Sequence, residues 1–262
     1  MIALDFFSKA PPGEATRYIV KKHTDKLVET ILQDINDFSL KPALQEKSLC
    51  QLYNVILCVE GNIKPHAEKI LRNVIYKYIL DEEAPIAART MKVAELLGLY
   101  VPTDYILPLC TAHLNDTESR AVPRFVSSCL TALSAVIVHS SINFGGQFEA
   151  HMDRLIALII SSDYLESENL EVMDRVLRVT KNMVHAAGNQ YCKPRRKQLF
   201  KILLQLGSTP AMSHAKAEVD QCLEVLAKNC ELDDASDLFS KELESLLKDM
   251  KEDYDRWDKH SP

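Results

Sequence analysis

The sequence predicts an all-α fold of repeated helical hairpins, and three observations predict it. Apolar residues recur at helical spacing, glycines and prolines fall at the ends of those runs, and a two-helix unit returns at a regular interval. Ala67, Ile70, Leu71, Val74, Ile75, Tyr78 and Ile79 define one apolar face. Val172, Met173, Val176, Leu177, Val179, Thr180, Met183 and Val184 define another. Near the end, Phe239, Leu243, Leu246, Leu247, Met250, Tyr254 and Trp257 follow the same spacing. No segment alternates with period two, so strands are not expected.

The punctuation agrees with helices. Gly61, Gly98, Gly188 and Gly207 each follow an apolar run, where a left-handed C-terminal cap is expected. Gly13, Gly145 and Gly146 fall in predicted linkers. Pro42, Pro65, Pro85, Pro123 and Pro194 sit near predicted helix starts, where the missing N–H costs nothing. Pro108 does not, and it predicts a kink or a late start. Between these marks the chain reads as helices over 23–37, 42–60, 65–80, 84–97, 103–114, 120–140, 146–162, 168–187, 192–206, 213–230 and 235–258.

Alternate helices begin at 42, 84, 120, 168 and 213, intervals of 42, 36, 48 and 45 residues. HEAT and armadillo arrays repeat at about 40–47 residues. The fold class is therefore an all-α, HEAT/armadillo-like superhelix, a solenoid of about five to six hairpins. A globular helical bundle is the alternative. Repetition has a physical cause: one hairpin cannot bury its apolar face alone, and stacked neighbours supply the cover. The helix at 42–60, with Leu49, Leu52, Tyr53, Val55, Ile56, Leu57 and Val59, is apolar on more than one side and suits a layer contacted by two neighbours. Residues 1–22 contain Pro11-Pro12-Gly13 and no hairpin, and read as a poorly defined segment, a remnant of a longer array. Residues 23–262 read as one HEAT-repeat solenoid closed by an acidic capping helix at about 235–258. Its outer face is expected to carry Glu242, Glu244, Lys248, Asp249, Lys251, Glu252 and Asp253.

Composition narrows the function. With 47% hydrophobic and 26% charged residues the chain is globular. No run of about 18 apolar residues suggests a membrane span, and residues 1–10 lack the pattern of a signal peptide. The seven cysteines never form C-x-x-C, and Cys50/Cys58 and Cys222/Cys230 are eight apart, a helical core spacing. Reduced packing cysteines in a cytoplasmic protein follow, with no metal and no cofactor expected. Asn115-Asp116-Thr117 matches a glycosylation acceptor, a chance match without a signal peptide. Residues 231–262 carry eleven acidic and five basic side chains, so the whole net charge of −6 lies there and the rest is neutral. A chain without a basic excess favours protein partners over nucleic acid.

The motifs of catalysis are missing. No Walker loop, dinucleotide glycine pattern, nucleophile elbow or H-E-x-x-H occurs. Histidines 23, 66, 113, 139, 151, 185, 214 and 260 are scattered singly, and a surface or hydrogen-bonded structural role is expected of each. Asp81-Glu82-Glu83 sits at a helix-to-helix turn, where capping explains it. Two features remain as candidate protein-interaction residues. Lys193, Arg195, Arg196 and Lys197, with Lys201 one turn on, form a basic cluster that reads as a dock for an acidic segment or a phosphate, as a nuclear-import-like patch, or as a solvated helix face. Trp257, the only tryptophan, reads either as packing or as an interface anchor.

Cys50-Gln-Leu-Tyr-Asn-Val-Ile-Leu-Cys-Val-Glu60 leads into Pro65-His-Ala-Glu-Lys-Ile-Leu71, then Asp81-Glu-Glu83 and Lys92-Val-Ala-Glu-Leu-Leu-Gly-Leu-Tyr-Val101. A repeat ending in an acidic turn, followed by K-x-A-E-L-L-G-x-[FY]-V, resembles the C-terminal HEAT-repeat region of the dynein axonemal assembly factor 5 family, best over roughly 40–110. The resemblance implies a non-enzymatic scaffold for cytoplasmic preassembly of axonemal dynein arms of the motile cilium. It implies axonemal dynein chains, the intermediate chain among them, as clients, and chaperones and other assembly factors as co-partners. It brings no catalytic residues. The alternatives are another HEAT adaptor, of phosphatase-regulatory or nuclear-transport type, and a HEAT-like DNA-binding enzyme, which a single tryptophan and negative charge disfavour.

Overall fold

A computed structural model describes residues 13–37, 41–116, 121–161, 164, 165, 167 and 169–260, with side chains at all of these except 141–150, 161, 187, 246 and 249–260. The described residues form an all-α, HEAT-like solenoid without strands. The helices are α1 (Glu14–Lys22), α2 (Thr24–Ile35), α3 (Pro42–Val59), α4 (Ala67–Ile70), α5 (Tyr76–Tyr78), α6 (Ala84–Tyr100), α7 (Thr103–Asn115), α8 (Pro123–Ser161), α9 (Leu170–Ser208), α10 (Lys216–Asn229) and α11 (Ala235–His260). A 3-10 turn (Glu60–His66) leads into α4, a π turn (Leu71–Ile75) joins α4 to α5, and a second 3-10 turn (Pro210–Ala215) leads into α10. The chain divides into two compact units, 1–158 and 159–262.

In the first unit α3 packs on α2 and on α6. Its two-sided apolar character meets that demand: Leu49, Leu52, Val55, Ile56, Cys58 and Val59 are all buried. The side-chain hydrogen bonds reveal the repeat directly. Lys69 donates to Glu29, Lys77 to Asn36, the Tyr78 hydroxyl to the Ile35 carbonyl, and Ser140 to the Gly98 carbonyl, at separations of 40, 41, 43 and 42 residues. Arg17 to Glu60 and Arg89 to Glu46 are each 43 apart, and Arg124 to the Leu80 carbonyl is 44. In the second unit the same interval joins Asn229 to the Val184 carbonyl, 45 residues apart, and Lys181 to Glu218, 37 apart. Each bond ties a position on one hairpin to its neighbour one repeat later, so the interval inferred from helix starts is the interval at which side chains meet.

Several expected boundaries are corrected. Glu14–Lys22 is a helix, with Glu14 in its first turn and Lys21 and Lys22 in its last, charges that suit the helix dipole; Val20 is buried beneath it. The expected break between 140 and 146 is absent, and the backbone continues as one helix through Gly145 and Gly146. A mid-helix glycine costs about 1 kcal/mol against alanine, which weakens a helix without ending it. The expected break near 188 is present as a kink: Gly188 has φ 62° and ψ −172°, a conformation an L-residue resists. Pro108 lies inside α7, so that helix starts upstream of it at Thr103.

Of the four glycines expected as left-handed caps, only Gly188 has positive φ; Glu60, not Gly61, takes that conformation at the end of α3. Gly98 is needed for a different reason. It lies within α6, where a Cβ would stand 2.7 Å from the Val136 carbonyl oxygen and 2.9 Å from the Val136 Cα. The absent side chain is what lets α6 approach α8 closely enough for the Ser140 hydroxyl to reach the Gly98 carbonyl.

A buried polar cluster closes the same unit. The Tyr76 hydroxyl lies 2.9 Å from His113 Nδ1, the two rings meet edge-on at 5.4 Å, and Phe125 also packs edge-on against Tyr76 at 5.4 Å. With the proton of the neutral ring on Nε2, Nδ1 accepts from the phenol. Burial, helped by the Arg72 guanidinium, pushes the His113 pKa below its ordinary value of 6.5.

Two predictions follow from this packing. Gly98→Ala forces the α6 backbone off that of α8 and destabilises the chain by about 1–3 kcal/mol, read as a lower denaturant midpoint at unchanged slope. An unchanged midpoint refutes the close approach. The second concerns acid. Between the lowered folded pKa of His113 and its ordinary 6.5 the unfolded chain binds more protons than the folded one. Stability therefore rises with pH through that window and falls on acidification. His113→Asn, which keeps an acceptor near the phenol, lowers stability overall but flattens the decline of melting temperature between about pH 7 and about pH 5. A slope identical to that of the parent chain removes His113 as its source.

Candidate protein-interaction surface

The basic cluster lies on the part of α9 beyond the Gly188 kink, and the structure places its members against the following repeat. Lys193 Nζ donates to Glu231 Oε2 at 2.5 Å, across 38 residues. Arg196 Nε donates to Glu242 Oε1 of α11, across 46 residues. Glu242 is 2% exposed, so this arginine neutralises a carboxylate that would otherwise be a buried unpaired charge. Arg195 turns back on its own helix, donating to the Tyr191 carbonyl at 3.3 Å with its guanidinium carbon 5.8 Å from the Tyr191 ring centroid. Lys197 is half-buried and Lys201 exposed. The cluster is thus brought together as the sequence suggests, but Lys193 and Arg196 face intramolecular carboxylates. An open pocket of about 440 Å³ lies beside Lys193, lined by Asn189, Gln190, Pro194 and Glu231.

The final helix is set at an unexpected rotation. Leu238 and Glu242, four residues apart, face inward, while Leu243 and Leu247 are 46% and 58% exposed. Glu242, expected on the polar outer face, is the residue the structure buries. The apolar stripe begins in contact, since Phe239 packs edge-on against buried Phe200 at 5.0 Å, and then runs out into solvent. Trp257 belongs to α11, but its side chain, like those of Met250 and Tyr254, lies outside the described residues.

Histidines serve as ties between repeats. His66 Nε2 meets Asp25 Oδ1, His151 Nε2 meets Asp104 Oδ1, and His214 Nε2 meets Asp174 Oδ1, each at 2.9 Å and at separations of 41, 47 and 40 residues. His139 stands 3.9 Å from Glu95. Lone histidines gave no hint of this in sequence; their distance from an aspartate one repeat upstream is the signal that finds them.

Six of the seven cysteines are buried. Burial pushes the thiols of Cys110 and Cys222 up to about 12 and that of Cys230 to about 11, and raises Cys129 and Cys192 as well. A thiol held protonated attacks nothing at neutral pH. Among the described residues no group of three or more His, Cys, Asp or Glu side chains is placed to hold a metal ion, and no helix is long and apolar enough to cross a membrane.

The stacked hairpins offer a surface spread along their outer faces. Comparison with known proteins gives that surface a lineage. The family model described as the HEAT-repeat domain of dynein axonemal assembly factor 5 matches residues 7–210. Proteins named dynein axonemal assembly factor 5 align over nearly the whole chain: the Xenopus laevis protein at 21% identity over 98% of it, the Mus musculus protein at 23% over 98%, and the Homo sapiens protein at 23% over 99%. The chain spans 30% of the length of these relatives. The likeness carried in sequence by residues 40–110 thus extends through most of the hairpins, and by it the chain belongs to the HEAT-repeat family of dynein axonemal assembly factor 5.

Proposed function

We propose that this chain is a non-catalytic, protein-binding scaffold that acts in the cytoplasmic preassembly of axonemal dynein arms. The observation that carries the reading is the family match over residues 7–210, together with relatives whose names state a role in assembling axonemal dynein. The clients are axonemal dynein chains, with chaperones and other assembly factors as co-partners. The physical support is a fold whose side-chain bonds fix the stacking of hairpins and leave outer faces for contact. Buried, protonated thiols and histidines tied to aspartates are consistent with a holding role rather than a chemical one. Binding energy on such a surface comes from a few well-placed side chains within a broad contact. Lys193, Arg195, Arg196, Lys197 and Trp257 are the candidates for such contacts under this reading.

Tagged chain recovered from ciliated cells before and after induction of ciliogenesis is expected to bring down axonemal dynein chains and assembly factors, identified by mass spectrometry. Recovery of phosphatase subunits or transport cargo in their place keeps the fold and removes the dynein assignment. Within the same assay, Arg195→Ala with Lys197→Ala is expected to reduce client recovery, with the melting temperature measured alongside to separate that loss from removal of the Arg195–Tyr191 contact. Arg196→Glu, by contrast, sets a second carboxylate against buried Glu242 and is expected to destabilise the fold by about 3–5 kcal/mol.

A further inference from the structure

The rotation of α11 is the feature of the molecule least explained by folding alone. Leu243 and Leu247 occupy successive turns on one stripe, 46% and 58% exposed, while Glu242 beside them is 2% exposed. Turning the helix by about one residue, roughly 100°, would carry the leucines toward the core and return the carboxylate to water. The Arg196–Glu242 bond opposes that turn, and Leu238 on the same inward face supports it. The fold thus maintains a buried ion pair, an arrangement that contributes little net stability, in a setting that keeps two leucines in solvent.

The sequence extends the stripe. From Leu243 the apolar residues continue through Leu247, Met250, Tyr254 and Trp257 at spacings of four, three, four and three residues, the pattern of a two-helix seam. Of the six positions flanking that seam, Glu244, Asp253 and Asp258 are acidic and Lys251 is basic, three against one, with Leu246 and His260 the other two. The segment 231–262 also holds the entire net charge of −6 of the chain. A second copy of α11 would bring acidic flanks onto acidic flanks, which disfavours self-pairing.

We propose that α11 is a docking helix for a basic amphipathic helix of a partner protein, which lays its own apolar seam along Leu243 and Leu247 and its lysines and arginines beside the acidic flanks. The inference rests on the protein-binding reading above and names the chemistry of one partner segment. Arg196 acts in it as a positioning residue, holding the helix at the rotation that presents the seam.

The test uses the whole chain and a fluorescein-labelled synthetic peptide of about three heptads, with leucine at the seam positions and lysine or arginine at the flanks. A matched peptide carries glutamate at those flanks. Fluorescence anisotropy is expected to show binding of the basic peptide and none of the acidic one. Leu243→Gln with Leu247→Gln is expected to weaken binding by roughly tenfold or more, with melting temperature and helical circular dichroism unchanged because both side chains already face solvent. Glu244→Lys is expected to weaken binding and to reduce its dependence on salt. Equal affinity for parent and double-glutamine chains, failure of the basic peptide to bind, or equal binding of the acidic peptide each overturns the proposal. A dimer in sedimentation that vanishes with the double-glutamine variant overturns it in favour of a second copy. Failure of the peptide leaves dynein recovery from ciliated cells untouched, and failure of that recovery leaves the peptide result standing, so the two readings fall separately.

Discussion

Every other feature of this chain depends on one constraint: a helical hairpin has two apolar faces and can cover only one of them itself. α3 shows the consequence, buried against α2 on one side and α6 on the other. The apolar area removed from water at each such layer supplies the stability, at roughly 25 cal/mol per Å². The polar bonds that span 37–47 residues contribute differently. Exposed pairs such as Lys69–Glu29 and Arg89–Glu46 contribute about 0–1 kcal/mol each. Their effect is to select one stacking register among several that would bury similar area. Gly98 belongs to the same logic, since the distance between α6 and α8 is set by a missing side chain rather than by an attractive one.

Charge is therefore placed in two distinct ways. Between hairpins it is complementary and local, as where Lys181 meets Glu218 and Lys193 meets Glu231. At α11 it is excess acid, of which Glu242 is buried. Removing a carboxylate from water costs several kcal/mol unless a cation follows it in, and Arg196 does. That pair couples the rotation of α11 to the kinked second half of α9. The kink at Gly188 gives the residues beyond it, Arg196 among them, a direction separate from those before it.

The helical period, the proline starts of α3, α6 and α8, and the hairpin interval were all readable in the sequence because each is a local signal repeated many times. The N-terminal helix α1 was hidden by the prolines and glycine just ahead of it, although its end charges marked it. The continuity of α8 was hidden because a glycine pair reads as a break while costing a helix only about 1 kcal/mol per residue. Gly98 and Gly207 were readable as special but not as to why: whether a glycine caps a helix or admits a neighbour depends on what lies across from it. The basic cluster was legible as a cluster, yet its partners Glu231 and Glu242 lie 38 and 46 residues away. No inspection of the cluster alone reveals them.

Surface charge has a different meaning in a stacked array than in a compact domain. In a compact domain a run of four basic residues on one helix is a candidate dock because nothing nearby in sequence neutralises it. In a stacked array each helix has an equivalent about forty residues on, and the neutralising group belongs there. A basic run with acidic residues one repeat downstream is thereby a tie between hairpins before it is anything else. The informative surface features are the ones that repeat geometry leaves unmatched. Glu242 has its partner one repeat back; Leu243 and Leu247 are exposed beside it. If α11 docks a partner as proposed, the Arg196–Glu242 pair that orients it contributes to recognition alongside the leucines that would touch that partner.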